Sequence, residues 1–197
     1  LLKLINSAYY SLLNKITSLT RAITMLGMNT VKNMALSTAI IKSVSSSKKS
    51  RVLPTSQFWQ HSIGVGVSAK LLAAACGVPV AEREEMFVAG LLHDLGKVPF
   101  GDEYIDVLNL ARKEQRPLIE VERELMGIDH QEVGMMISEK WKLNTVINSC
   151  IGDHHEACEA VEGCRRQVAL VALANMYINI HDIGYAGDPF PDVRDME

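Results

Sequence analysis

Nothing in this chain stays apolar for the roughly 20 residues that a bilayer-crossing helix needs, and no charged segment followed by an apolar one opens it as a secretion signal would. Those absences lead us to expect a cytoplasmic protein with no membrane as partner. Charge excess is missing too: 20 Lys and Arg against 23 Asp and Glu leave a net charge of −3. Bulk electrostatics therefore gives no reason to expect nucleic acid as a partner. Cysteine is scarce, and Cys76, Cys150, Cys158 and Cys164 form no Cys-x-x-Cys pair. The usual structural-zinc and redox spacings are excluded, which leaves reduced thiols. Finally, no run alternates apolar and polar residues between turn signals, so strands are not expected.

What the chain has is apolar content, 48% over 197 residues. That excludes a disordered or fibrous class and suffices for one domain with a proper core. The chain starts at Leu1, without methionine and already inside an apolar periodic stretch, so we expect it to be a piece of a longer protein.

Apolar residues recur at three- and four-residue spacing nearly throughout, the signature of an all-α fold. Leu1, Leu4, Ile5 and Ala8 mark one helix face. Thr17 and Ser18 are candidate N-caps for a helix through Met25 and Leu26, with Gly27 as its stop. Asn29 can cap another through Val31, Met34, Ala35, Thr38, Ile41 and Lys42. From Ser43 to Pro54 the apolar spacing disappears and the segment ends in a helix breaker, which reads as an exposed connector between two helical subdomains. Its basic residues Lys48, Lys49 and Arg51 read as a solvated loop. Further helices are expected over about Ser56 to Cys76, Val80 to Asp94, Asp102 to Gln115, Leu118 to Met126, Asp129 to Leu143, Asn144 to His154 and Cys164 to Asp182. Gly77, Gly101, Pro117 and Gly127 punctuate them, and the tail after Gly184, with Pro189 and Pro191, reads as irregular.

Five of the six histidines, His61, His93, His130, His154 and His155, fall within or near the ends of these apolar helices. A single histidine on an apolar face is more often a satisfied core residue than a ligand. Five together shift the balance, because each unsatisfied buried nitrogen costs about 1–3 kcal/mol and one shared metal satisfies several at once. His93 is followed directly by Asp94, and imidazoles backed by a carboxylate suit iron, zinc or manganese. Within Ala-Gly-Leu-Leu-His-Asp-Leu-Gly-Lys, residues 89 to 97, the Asp94 carboxylate could bridge two metals. Gly96 would let the backbone turn, and Lys97 could reach an anionic substrate. A solvent lysine is the plain alternative for Lys97.

The order of these motifs resembles the ligand series of HD-superfamily phosphohydrolases. His61, then His-Asp-Leu-Gly-Lys at 93 to 97, then His130 in Asp-His-Gln-Glu-Val-Gly, then His154-His155-Glu156, is more similar to the cyclic-di-GMP phosphodiesterase branch, HD-GYP, than to a simple HD domain. Leu-Leu-Lys-Leu-Ile-Asn-Ser-Ala-Tyr-Tyr at 1 to 10 and Ser-Leu-Thr-Arg-Ala-Ile-Thr-Met-Leu-Gly at 18 to 27 resemble the HDOD domain, an HD-related output module of bacterial signalling proteins. That resemblance spans nearly the whole chain. It implies a single HDOD-like domain over 1–197, with an N-terminal helical subdomain (1–45) truncated at its start and a connector (46–55). An HD-like helical bundle (56–184) and an irregular tail (185–197) complete it.

The same resemblance implies a divalent metal centre, of two ions. His61, His93 and Asp94 would hold the first ion, and Asp94, His130, His154 and His155 the second. Asp94 and Lys97 would be the catalytic pair if the protein is an enzyme, and Asp153 and Glu156 would orient ligands or move protons, an exposed acid near a helix end being the plain alternative for each. Two departures stand out. Asn175, in Val-Ala-Leu-Ala-Asn-Met-Tyr, takes the place of the aspartate that closes the first site, and no Gly-Tyr-Pro follows His-His-Glu. A neutral amide carbonyl is a weaker ligand than a carboxylate. The resemblance therefore implies an HDOD-type module, regulatory or ligand-sensing, that acts with a signalling partner or upstream sensor. The alternative is a metal-dependent phosphohydrolase acting on a nucleotide or cyclic dinucleotide.

Overall fold

A computed structural model describes residues 6, 15–28, 31, 35, 38 and 52–188. Among the described residues there are eight α-helices and no strand, so the chain is all-α. The chain divides into two compact units, Leu1–Ser43 and Val44–Glu197. The expected helix face of Leu1 to Ala8, the Asn29 cap, most of the connector and the two tail prolines lie outside the described residues.

In the first unit, α1 runs over Leu19–Leu26. The Ser18 hydroxyl accepts from the Arg21 N–H at 3.5 Å, and Gly27 ends the helix at φ 81°, where a residue with a side chain would be strained. Ahead of it, Asn6 donates to the Ile16 carbonyl and accepts from its N–H, both at 2.7 Å.

The second unit is built on α2 (Thr55–Ala75), α3 (Val80–Leu92) and α8 (Arg165–Ile180), with α2 packed against both of the others. Helices α2 and α3 touch backbone to backbone. A Cβ on Gly90 would lie 2.8 Å from Gly66 Cα, and one on Gly66 would lie 2.7 Å from the Phe87 carbonyl oxygen. No larger residue fits at that crossing. Val168, Val171, Ala174 and Ile178 form the buried stripe of α8, at the three- and four-residue spacing of one helix face.

Helices α4 (Tyr104–Glu114) and α5 (Leu118–Met126) pack together. They close a second apolar cluster of Phe58, Phe100, Tyr104, Leu108, Leu118 and Val121. Gly127, at φ 68°, stops α5 where the sequence places a stop. Helix α6 (His130–Lys140) starts at a capping box, in which Asp129 accepts from the Glu132 N–H and the Glu132 carboxylate accepts from the Asp129 N–H. Helix α7 (Thr145–Asp153) is capped by Asn144. No described helix is long and apolar enough to cross a membrane.

Two expectations are corrected here. The helix expected to run to Asp94 ends at Leu92, and after His93 and Asp94 the chain tightens into a 3₁₀ turn over Leu95–Lys97. Gly96 is needed for contact, not for a turn. Its Cβ would fall 1.8 Å from the His130 carbonyl oxygen and 2.6 Å from the Gly134 nitrogen, so only hydrogen lets this turn lie against α6.

Candidate metal centre

These close approaches bring five histidines from four helices to one point. His61 comes from the middle of α2, His93 caps α3, and His130 opens α6. His154 caps α7, with His155 next to it. The rings of His61 and His93 sit 5.5 Å apart and those of His154 and His155 4.4 Å apart. His61, His93, His130 and His154 are all buried, while His155 is half-buried. The sixth histidine, His181, is exposed, its Nδ1 bonded to the Tyr177 carbonyl.

Two donor groups result, His61 with His93 and Asp94, and His130 with His154 and His155. Within each, one donor atom per residue lies within 4.8 Å of the others. Asp94 joins them. Its Oδ2 is 3.8 Å from His61 Nε2 and 3.3 Å from His93 Nε2, and its Oδ1 is 3.5 Å from Nε2 of both His130 and His154. Lys97 Nζ lies 2.9 Å from both Asp94 oxygens, donating to Oδ2.

The hydrogen bonds on the far side of each ring fix its tautomer. His130 Nδ1 is 2.6 Å from the Glu122 carboxylate, which can only accept. His154 Nδ1 faces the carbonyls of Cys150 and Ile151, and His93 Nδ1 faces that of Gly90. In its neutral form each of these three rings donates through Nδ1 and turns a bare Nε2 inward. His130 Nε2 then sits 3.4 Å from His154 Nε2 and 3.2 Å from His155 Nε2. The lone pairs of His130 and His154, aimed at each other in a buried space, repel. His93 Nε2 and both nitrogens of His61, one of which carries the proton, have no hydrogen-bond partner, and Asp94 Oδ1 has none beyond its ion pair with Lys97. Bare imidazole nitrogens around a carboxylate fit a first-row divalent ion.

The electrostatics favour the ligand-competent forms. Burial, then the neighbouring His93, pushes His61 down to about 3. Burial pushes His154 down to about 4, against the pull of Asp94, and with His154 and His130 it holds His155 well below its usual 6.5. For Asp94, burial works toward the neutral acid, but His93 and Lys97 hold it well below the carboxylate range. Lys97 is opposed by burial and raised by Asp94, Asp188 and Glu122. It is no solvent lysine, being 2% exposed.

Asn175, buried on α8, lies beside His61, and its Oδ1 accepts from the Asn179 amide at 3.2 Å. Neither Asp153 nor Glu156 is hydrogen-bonded to a ring. Glu156 is exposed and pairs with Arg123 Nη1 at 3.2 Å, because the chain turns outward after His155. Asp153 is half-buried, its carboxyl pushed up by burial and by Glu156.

The acid that does hold a ring is Glu122, which sequence reasoning missed. Fully buried on α5, it accepts from the His130 Nδ1–H and backbone N–H and from the Tyr104 hydroxyl. It shares a helix face with Leu118, four residues earlier, and that spacing is the one signal that could have singled it out.

The segment after α8 closes the site. Tyr185 N–H donates to the Gln57 carbonyl at 3.0 Å, and a Cβ on Gly184 would fall 2.4 Å from the His61 nitrogen. A cavity of about 380 Å³ opens beside this segment between Arg112, Asn179 and Asp188, and none of the five histidines lines it.

The fold that carries these residues is shared with known proteins. A protein of unknown function from Geobacter sulfurreducens with an HDOD domain superposes with a TM-score of 0.79 at 32% identity, covering 94% of this chain and 62% of that one. A candidate phosphohydrolase from Shewanella amazonensis SB2B shares the fold, with a TM-score of 0.69 at 21% identity over 85% of this chain and 61% of that one. A candidate metal-dependent phosphohydrolase from the same organism gives 0.60 at 19%, over 98% and 73%. An uncharacterized protein of Treponema pallidum (strain Nichols) is 27% identical over 186 residues, which is 92% of this chain and 35% of that protein. The chain thus spans about a third of that curated relative's length. The HDOD domain family matches residues 1–157, from the first residue past His155, and on that match this chain belongs to the HDOD domain family.

Proposed function

We propose that this chain is a metal-binding HDOD module with a regulatory or ligand-sensing role, in which a divalent ion (iron, zinc or manganese) ties together the ends of α3, α6 and α7. The observation that carries the reading is the set of bare Nε2 atoms of His93, His130 and His154 around Asp94 in a closed, buried site. Binding there converts mutual repulsion into cohesion, so the ion's presence changes how firmly these elements hold together. A signalling partner or an upstream sensor domain would read that change.

A second reading, hydrolysis of a nucleotide, cyclic dinucleotide or other phosphoester, is favoured by Lys97 beside the metal ligands and by the fold shared with candidate phosphohydrolases. A bound ion would supply Lewis acidity toward water and phosphoryl oxygen. In this chain Asp94 would share the ligand groups and Lys97 would have to leave its carboxylate to meet a phosphate. His155 is the one half-buried ligand candidate through which a substrate could approach. The closed site and the engaged lysine support the regulatory reading over this one.

Elemental analysis of protein purified without added metal tests the first reading. It should find iron, zinc or manganese at about half an ion per chain or more; a metal-free protein that also fails to bind added Zn²⁺ or Mn²⁺ overturns it. Hydrolysis of bis(p-nitrophenyl) phosphate by the metal-loaded chain, lost in Asp94→Ala and Lys97→Ala, would establish the second reading instead.

A further inference from the structure

The two donor groups are not equivalent. In the His130 group, Glu122 and the carbonyls of α7 fix two of the three rings in the ligating tautomer. The buried Glu122 carboxylate also adds negative charge directly behind His130. Such carboxylate–histidine pairs orient a ligand and raise its basicity. The His61 group is held less firmly, with only its His93 ring fixed, by the Gly90 carbonyl. Neither nitrogen of His61 is held by a hydrogen bond, and the residue beside it, Asn175, is neutral with its carbonyl already engaged by Asn179. Its one carboxylate, Asp94, is faced at 2.9 Å by the Lys97 ammonium, which is sealed from water.

Charge counting sharpens the difference. Two divalent ions would bring four positive charges to a buried space whose fixed charges are Asp94, Glu122 and the opposing Lys97, with only Asp188 further out. With one ion these groups sum to +1, and to zero once Asp188 is counted; a second ion leaves at least two charges unanswered, and burying uncompensated charge is costly. Resting on the metal-binding reading, we infer that this site takes one divalent ion, held by His130, His154 and His155 with Asp94, and that the Lys97 ammonium takes the electrostatic place of a second ion beside His61 and His93.

Co²⁺ provides the test, by equilibrium dialysis of the whole chain at neutral pH followed by elemental analysis. The wild type should saturate at one ion. His154→Ala should bind none at the same free Co²⁺ with its helical circular dichroism kept. Glu122→Gln should still saturate at one with affinity lowered about 10–100-fold. Asn175→Asp combined with Lys97→Met, which restores a carboxylate and removes the ammonium, should saturate at two. Two ions on the wild type overturn the inference while leaving the metal-binding reading standing, and no ion on the wild type overturns both. An ion retained by His154→Ala at full affinity overturns its placement. The wild-type count needs no variant to fold.

Discussion

Lys97 Nζ lies 2.9 Å from each carboxylate oxygen of Asp94, with both side chains 1% exposed. A lysine so sealed persists because its charge is answered on the spot. Removing one member strands the other, which costs about 3–5 kcal/mol for buried pairs, whereas replacing both removes the two desolvation penalties together. Lys97→Met and Asp94→Asn should therefore each lower the urea midpoint of the metal-free chain sharply, while the double variant should be more stable than either single one. A double variant whose loss equals the sum of the singles would show that the two side chains do not act as a pair.

Tyr104, Glu122 and His130 form a chain of buried hydrogen bonds from the apolar cluster to the ligand group. The Tyr104 hydroxyl is pushed well up by burial and by Glu122, so it stays a donor, and Glu122 is kept ionised by His130, Lys97 and Tyr104 against burial. A hydrogen bond to a charged acceptor contributes about 1.5–3 kcal/mol. Tyr104→Phe should cost that much in chemical denaturation, with helical content unchanged, and Glu122→Gln should cost more because it also weakens the hold on His130. A neutral Tyr104→Phe would mean that water or a neighbour replaces the hydroxyl.

The histidines make stability depend on pH with a definite sign. His61 and His154 titrate at about 3 and 4 in the folded chain and His155 well below its usual value, whereas in the unfolded chain all three return to about 6.5. Between those values the unfolded state holds more protons, so stability falls as pH falls. The contribution is fully present above about pH 7 and is lost progressively toward pH 4. Urea midpoints of the metal-free chain should decrease steadily from pH 7.5 to 5, and bound metal should be released over the same range because only neutral imidazole ligates. A midpoint flat across that window would show that the rings are already protonated, or are wet, in the native state.

Much of this was open to reading before the structure, and the parts that were not share a cause. Ser18, Asp129 and Asn144 announce helix starts through side-chain capping, a local effect, and Gly27 and Gly127 announce stops; all five act as local chemistry predicts. Helix α5 begins and ends at the expected residues, Leu118–Met126. Glu122 was hidden because Glu-Val-Glu-Arg-Glu carries three acids with nothing local to tell them apart, and only the meeting with Tyr104 and His130, both distant in sequence, selects one for burial. Glu156 shows the mirror image, since its partner Arg123 lies 33 residues away and no local spacing announces that pair. Gly96 was read as a flexible position when it is a contact, and contacts between distant segments leave no trace in local spacing.

Gly96 also gives the sharpest steric test of the site. Any Cβ there would sit 1.8 Å from the His130 carbonyl oxygen, far inside contact distance, and the obstacle is backbone at the first residue of α6, not the end of a flexible side chain. Relief requires the 3₁₀ turn carrying Asp94 and Lys97 to separate from the helix carrying His130. Gly96→Ala should thus cost about 3 kcal/mol or more, at the upper end of what overpacking does, and should weaken metal binding even where the chain still folds, because it moves Asp94 away from His130. Gly101→Ala, with open space around its Cβ, is the control and should change stability by no more than about 0.5 kcal/mol. Equal midpoints for the two variants would mean that the Leu95–Lys97 turn does not pack on α6 as described, and the shared position of Asp94 between the two donor groups would fall with it.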